Sequence, residues 1–84
     1  MMQIIANSAD QFVDLMGWIW EHAPTDVYNE LADARIAAKR CGLRKMWAQR
    51  TDGYPGYVYQ AADGSRVNVW NNGNAVRPVR RHST

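Results

Sequence analysis

The 84-residue chain predicts an α+β fold in the order β-α-α-β-β-β-β, an antiparallel sheet with an αα-hairpin packed on one face. Three observations lead there. Residues 8–42 carry two apolar stripes at spacings of three and four, the helical period. Beyond Leu43 the apolar residues fall instead into short runs rich in aromatic and β-branched side chains. Those runs are separated by Asp52-Gly53, Asp63-Gly64 and Asn72-Gly73, dipeptides that favour the tight turns of hairpins.

Taken in order, Ile4 and Ile5 read as a brief first strand ending at Asn7. Ser8 with Gln11 three positions on forms a capping-box pattern, and Asp10 suits the positive end of the helix dipole. Phe12, Leu15, Met16, Ile19 and Ala23 then share one stripe until Pro24, which forces the preceding residue out of the helical region. A second helix follows, capped by Thr25 or Asp26, with Val27, Leu31, Ala34, Ala38 and Cys41 on its buried face. Gly42 supplies the left-handed position after its end, Leu43 the accompanying apolar contact, and Lys39 and Arg40 favour the negative end of the dipole. Strands are expected over residues 46–51, 57–62, 65–70 and 75–79. Tyr57 and Tyr59 share a face by alternation, as do Val67 and Val69, and Pro78 places the last strand at an edge. The expected organisation is one domain, with a helical hairpin at 8–42, a sheet at 46–79 and a short basic tail at 80–84.

Composition narrows the function classes. The chain is 46% hydrophobic and 21% charged, with one cysteine and a formal net charge of +2. That balance describes a folded domain. A lone cysteine forms no internal disulfide, and it makes no structural zinc site without three further ligands. Apolar runs of three or four residues cannot cross a membrane. The first residues lack the basic segment and long apolar stretch of a signal peptide, so the expected location is the cytoplasm. Catalytic motifs are also missing: there is no phosphate-binding glycine loop, paired-cysteine motif, HExxH or nucleophile elbow. His22 and His82 are far apart, and Cys41 lies on a core stripe. Asp10 and Asp14 are one turn apart but read as a solvated acidic face. No enzyme activity, cofactor or metal is expected.

Charge is strongly segregated. Residues 1–34 hold six carboxylates and no lysine or arginine, while residues 35–84 hold all ten basic residues against Asp52 and Asp63. The acidic half offers one candidate surface. On a helical wheel Asp10, Asp14, Gly17 and Glu21 gather opposite the apolar stripe, and Trp18 falls beside them. Either Trp18 is exposed as the anchor of an interface, or it folds over a neighbouring strand or the tail. Asp26, Glu30 and Asp33 extend the surface, and Ile36 adds an apolar position on the second helix. The leading expectation is a non-enzymatic module that uses this face to occupy a basic surface of a larger protein, including a groove that otherwise holds nucleic acid.

The competing expectation is a nucleic-acid-binding module. Its residues are Trp47, Arg50, Arg66, Trp70, Arg77, Arg80 and Arg81, aromatic and basic side chains interleaved along the sheet and tail. A homodimer through the 75–79 edge or the helix face is a further arrangement. In general character the chain resembles the small inhibitors that phages and mobile elements direct at host machinery, anti-CRISPR proteins among them. The likeness is one of length, charge and the missing catalytic set; it assigns no role to any residue.

Overall fold

The computed structural model describes residues 4–79 and shows an α+β fold. Its elements are α1 (Ala9–His22), α2 (Thr25–Leu31), α3 (Ala34–Arg40), β1 (Arg44–Ala48), β2 (Gly56–Gln60), β3 (Arg66–Trp70) and β4 (Val76–Pro78). The four strands form an antiparallel meander in the order β1-β2-β3-β4, with the helices on one face. The 80–84 tail, including Arg80 and Arg81, lies outside the described residues.

α1 forms where the capping pattern predicts. Ser8 is extended and its hydroxyl accepts from Gln11 N–H at 3.1 Å. The Gln11 side chain reaches back to Asn7 N–H, one residue before the cap. Phe12, Met16 and Ile19 are fully buried, and Ala23 turns extended ahead of Pro24.

Ile4 and Ile5 form no strand, which corrects the first predicted element. Their segment bonds elsewhere: Ala6 N–H donates to Cys41 O, Asn7 O accepts from Asp63 N–H, and Ala9 N–H donates to the Ser65 hydroxyl. With these groups bonded to the end of α3 and the β2–β3 turn, no ladder forms, and Ile5 is left exposed.

The expected single second helix is two. It begins at Thr25 with Pro24 in the cap position and no side-chain cap bond, so neither Thr25 nor Asp26 caps it. It breaks at Asp33, whose backbone is extended (φ −82°, ψ 112°) and whose carboxylate accepts from Arg35 N–H at 2.9 Å. Two backbone groups released by the break find partners elsewhere in the fold. Ala32 O accepts from the Trp20 indole at 2.8 Å, and Ala34 N–H donates to Gly73 O at 2.7 Å. Gly73 sits in the β3–β4 turn at φ +72°, and a Cβ there would run into the Asp33 carboxylate. Leu31, Ala34, Ala38 and Cys41 stay buried across the break, so the apolar stripe keeps its phase and conceals it.

α3 ends as its sequence predicts. Gly42 takes φ +89°, Gly42 N–H bonds Lys39 O, and Leu43 N–H bonds Ala38 O, the paired bonds of a Schellman cap. The chain enters β1 at once, at Arg44 rather than Met46, and leaves it at Ala48. Residues 49–55 fold into a loop closed by a Thr51–Tyr54 bridge.

Register assigns the two sheet faces. Tyr57, Tyr59, Val67, Val69 and Val76 meet α1 and α3 in the core. Val58, Gln60, Arg66, Asn68, Trp70 and Arg77 alternate with them and face away. A bulge between Lys45 and Trp47 shifts the β1 phase, so Lys45 lies opposite Tyr59 while Trp47 lies opposite Val58. Without it Lys45 and Trp47 would share a face. Pro78 is on the edge strand, where its missing N–H removes no ladder bond.

The Arg35 side chain, bonded to Asp33 through Nε at 3.0 Å and NH2 at 2.6 Å, holds the Asp33 carboxyl below its usual value of 3.8. A depressed folded-state pKa contributes stability that is present above the unfolded value and lost as pH falls through the folded one. Asp33→Asn keeps a capping oxygen without the charge. It should flatten the decline in stability from neutral pH into the range below 3.8, measured by urea unfolding across a pH series.

Candidate binding faces

The outward sheet face brings together four residues of the nucleic-acid set. Trp47 on β1 and Trp70 on β3 stand on either side of β2, each beneath an arginine from the strand next to it or beyond. The Arg66 guanidinium lies 5.0 Å from the Trp47 ring centre and that of Arg77 lies 5.6 Å from the Trp70 ring centre. Both are cation–π distances. Secondary bonds hold the pairs in place. Arg66 Nε donates to Gln60 at 2.9 Å, the Trp47 indole donates to Gln49 at 2.9 Å, and Arg77 donates to Asp52 at 2.8 Å.

Beneath them the face is buried although no helix covers it. Val58 retains 1% of its exposure and Asn68, its neighbour across the β2–β3 register, 7%. The 49–55 loop supplies part of the cover. Asp52, at its tip with φ 53°, reaches Arg77 on the far edge strand. A cleft of about 590 Å³ opens between this loop and β3–β4, with Arg50, Thr51, Asn68 and Arg77 among its walls. Arg50 is tied to Gly53 O at 2.6 Å and so faces the same cleft from the loop side. Gly56 lies where β2 and β3 close on each other, and a Cβ there would strike Val69 O. Trp47 remains 42% exposed.

The acidic set divides in two. Asp10, Asp14, Trp18 and Glu21 all stay exposed on α1, with the Trp18 ring at 44%. Among the described residues Asp10, Asp14 and Asp26 make no ion pair, and Glu21 meets only its neighbour His22 at 3.7 Å. Glu30 reaches Arg40 at 3.4 Å. Asp33 leaves the surface set altogether, because its carboxylate caps α3, binds Arg35 and abuts Gly73. Ile36 is exposed beside Arg35, Lys39 and Arg40, in a depression that Trp18 does not line.

Sequence reasoning missed Asn68 and the glutamines. Asn68 occupies the polar place of an alternating strand, and only the position of the 49–55 loop and of Arg77 makes that place a buried one. Cys41 is buried, and desolvation pushes its thiol up, away from reactivity. Among the described residues no group of three or more His, Cys, Asp or Glu is placed to hold a metal, and no helix is long and apolar enough to cross a membrane. Comparisons with protein-family models, curated proteins and solved structures find no match to this chain.

Gly17 lies mid-helix beside Trp18, and a Cβ there would meet nothing within 4 Å. Gly17→Ala should therefore stabilise the free protein by about 0.5–1 kcal/mol, the helix-propensity difference, as read from denaturant midpoints. A loss of stability would mean that the outer side of α1 is covered.

Proposed function

We propose that this protein is a non-enzymatic nucleic-acid-binding module that takes a single strand across the outward face of its sheet. The observation that carries the reading is the pair of arginine-on-tryptophan stacks, Arg66 with Trp47 and Arg77 with Trp70, on one helix-free face. Indole rings accept any base by stacking, and guanidinium groups beside them neutralise the adjoining phosphates. Arg44 and Arg50 add positive charge at the β1 end and on the loop. A duplex presents its bases edge-on and stacked, which leaves the rings nothing to stack on; a single strand can splay its bases onto them.

The charge layout supports the same orientation. α1 rests on the opposite face of the sheet and presents Asp10, Asp14 and Glu21 outward. A polyanion is repelled from that side and drawn to the other. The acidic face supports a second reading, a basic protein partner anchored on Trp18, because this indole stays exposed beside carboxylates that pair with no lysine or arginine among the described residues. The two readings use separate surfaces and are separable by mutation.

Titration with short single-stranded and duplex oligonucleotides, followed by tryptophan quenching over a salt series, tests the proposal. Single strands should bind tighter, with affinity falling steeply as salt rises. Trp47→Ala and Trp70→Ala should each weaken binding by about 1–3 kcal/mol. Arg66→Ala and Arg77→Ala should each reduce the salt slope by about one, and Trp18→Ala should change neither affinity nor slope. Absence of binding at low salt, or equal loss on Trp18→Ala, overturns the reading. A protein partner that loses about 2 kcal/mol or more of affinity on Trp18→Ala would establish the second reading.

A further inference from the structure

One side chain on the outward face works against the stability of the fold. Asn68 is central in β3, between two core valines, and is 7% exposed, yet among the described residues its Oδ1 has no hydrogen-bond partner. A buried amide oxygen without a donor destabilises a protein, and an apolar side chain of similar shape removes that penalty. Its cross-strand neighbour shows what the position would otherwise hold, since Val58 is just as buried and is apolar. The Asn68 Oδ1 is itself shielded from solvent, but the side chain borders an open cleft. That cleft lies between the 49–55 loop and β3–β4, with Arg50 and Arg77 around it. Trp70 stands two residues along the same strand on the same face, under Arg77. An acceptor lacking a donor thus lies between a stacking ring and two cations.

A carboxamide offers a donor and an acceptor side by side, which is what a base edge requires. Adenine is unusual among the bases in presenting the complementary amino group and ring nitrogen on both its Watson–Crick and its Hoogsteen edges. Either orientation of a splayed adenine can therefore satisfy both ends of the amide, and its two fused rings cover more of an indole than a pyrimidine does. We propose that Asn68 is the specificity-determining residue of the sheet face, hydrogen-bonding the edge of an adenine stacked on Trp70, with Arg77 and Arg50 taking the flanking phosphates. Arg77 would leave both Asp52 and the Trp70 ring for a phosphate as the strand enters, and the base would take its place on the indole. This inference rests on the nucleic-acid reading above but adds a preference that the stacks alone do not supply, since stacking is tolerant of sequence.

The test compares oligo(dA) with oligo(dT) of equal length on the wild-type protein and on two variants, alongside thermal unfolding of the free proteins. The wild-type chain should bind oligo(dA) about tenfold more tightly than oligo(dT), the discrimination typical of a bidentate base contact. Asn68→Ala should bring that ratio close to one while leaving oligo(dT) affinity within about twofold of wild type. Asn68→Val should do the same and also raise the thermal midpoint, because it removes an unpaired buried amide and suits the strand. Equal wild-type affinity for the two oligomers overturns the inference and leaves the nucleic-acid reading standing. So does a parallel loss of both affinities in the variants, or a fall in the midpoint of Asn68→Val, which would mark the amide as structural. Failure of the wild-type protein to bind either oligomer at low salt removes both conclusions together.

Discussion

The helical layer is docked to the sheet where its second helix breaks. Asp33 leaves the helical region, and in doing so frees Ala32 O for the Trp20 indole and Ala34 N–H for Gly73 O. Those bonds tie α1, the α2–α3 junction and the β3–β4 turn to one another, and Gly73 is the residue that lets the Asp33 carboxylate approach so closely. With the helices held at that corner, Phe12, Met16 and Ile19 lie over the inward valines and tyrosines of the strands. Among the described residues no second helical layer covers the other face.

That other face is covered by its own side chains and in part by the 49–55 loop. A sheet this small normally turns polar on its solvent side, and here the solvent side holds two tryptophans, two arginines and a buried valine–asparagine pair. Exposed cation–π pairs contribute on the order of 0.5–1 kcal/mol each, so the arrangement offsets part of the penalty of wet indole rings without needing a partner. It also leaves guanidinium groups and ring faces together at the surface, which is the chemistry of a strand-binding platform. The Met46 bulge decides this. By moving Trp47 out of phase with Lys45, it sends the indole to the outward face and leaves the lysine to stack on Tyr57 at the inward edge, with Nζ 4.0 Å from the ring centre.

The separation of charge survives folding only in part. Among the described residues α1 pairs its carboxylates with no lysine or arginine, whereas Glu30 and Asp33 are drawn to Arg40 and Arg35 of α3. Of the two surfaces read from the sequence, the acidic one therefore contracts to α1 and the start of α2. The basic aromatic one gathers Trp47, Arg66, Trp70 and Arg77 from three strands onto a single face.

Much of the fold was legible in local chemistry. Ser8 and Gln11 mark the start of α1, Pro24 its end, and Gly42 the end of the helical layer, because capping and backbone freedom act within a few residues. The Asp-Gly and Asn-Gly turns and the shared face of Tyr57 and Tyr59 are local in the same sense. The sequence by itself thus determined an α+β chain of helices followed by an antiparallel meander, and which stripes are apolar. Tertiary structure alone decided the remainder. The break at Asp33 depends on partners at Trp20 and Gly73, distant in sequence; the lost strand at Ile4 and Ile5 depends on donors and acceptors at Cys41 and Asp63. The outward turn of Trp47 depends on a bulge that alternation does not encode. The burial of Asn68 depends on a loop crossing from another hairpin. Each is a contact between residues far apart along the chain, and periodicity carries no information about such contacts.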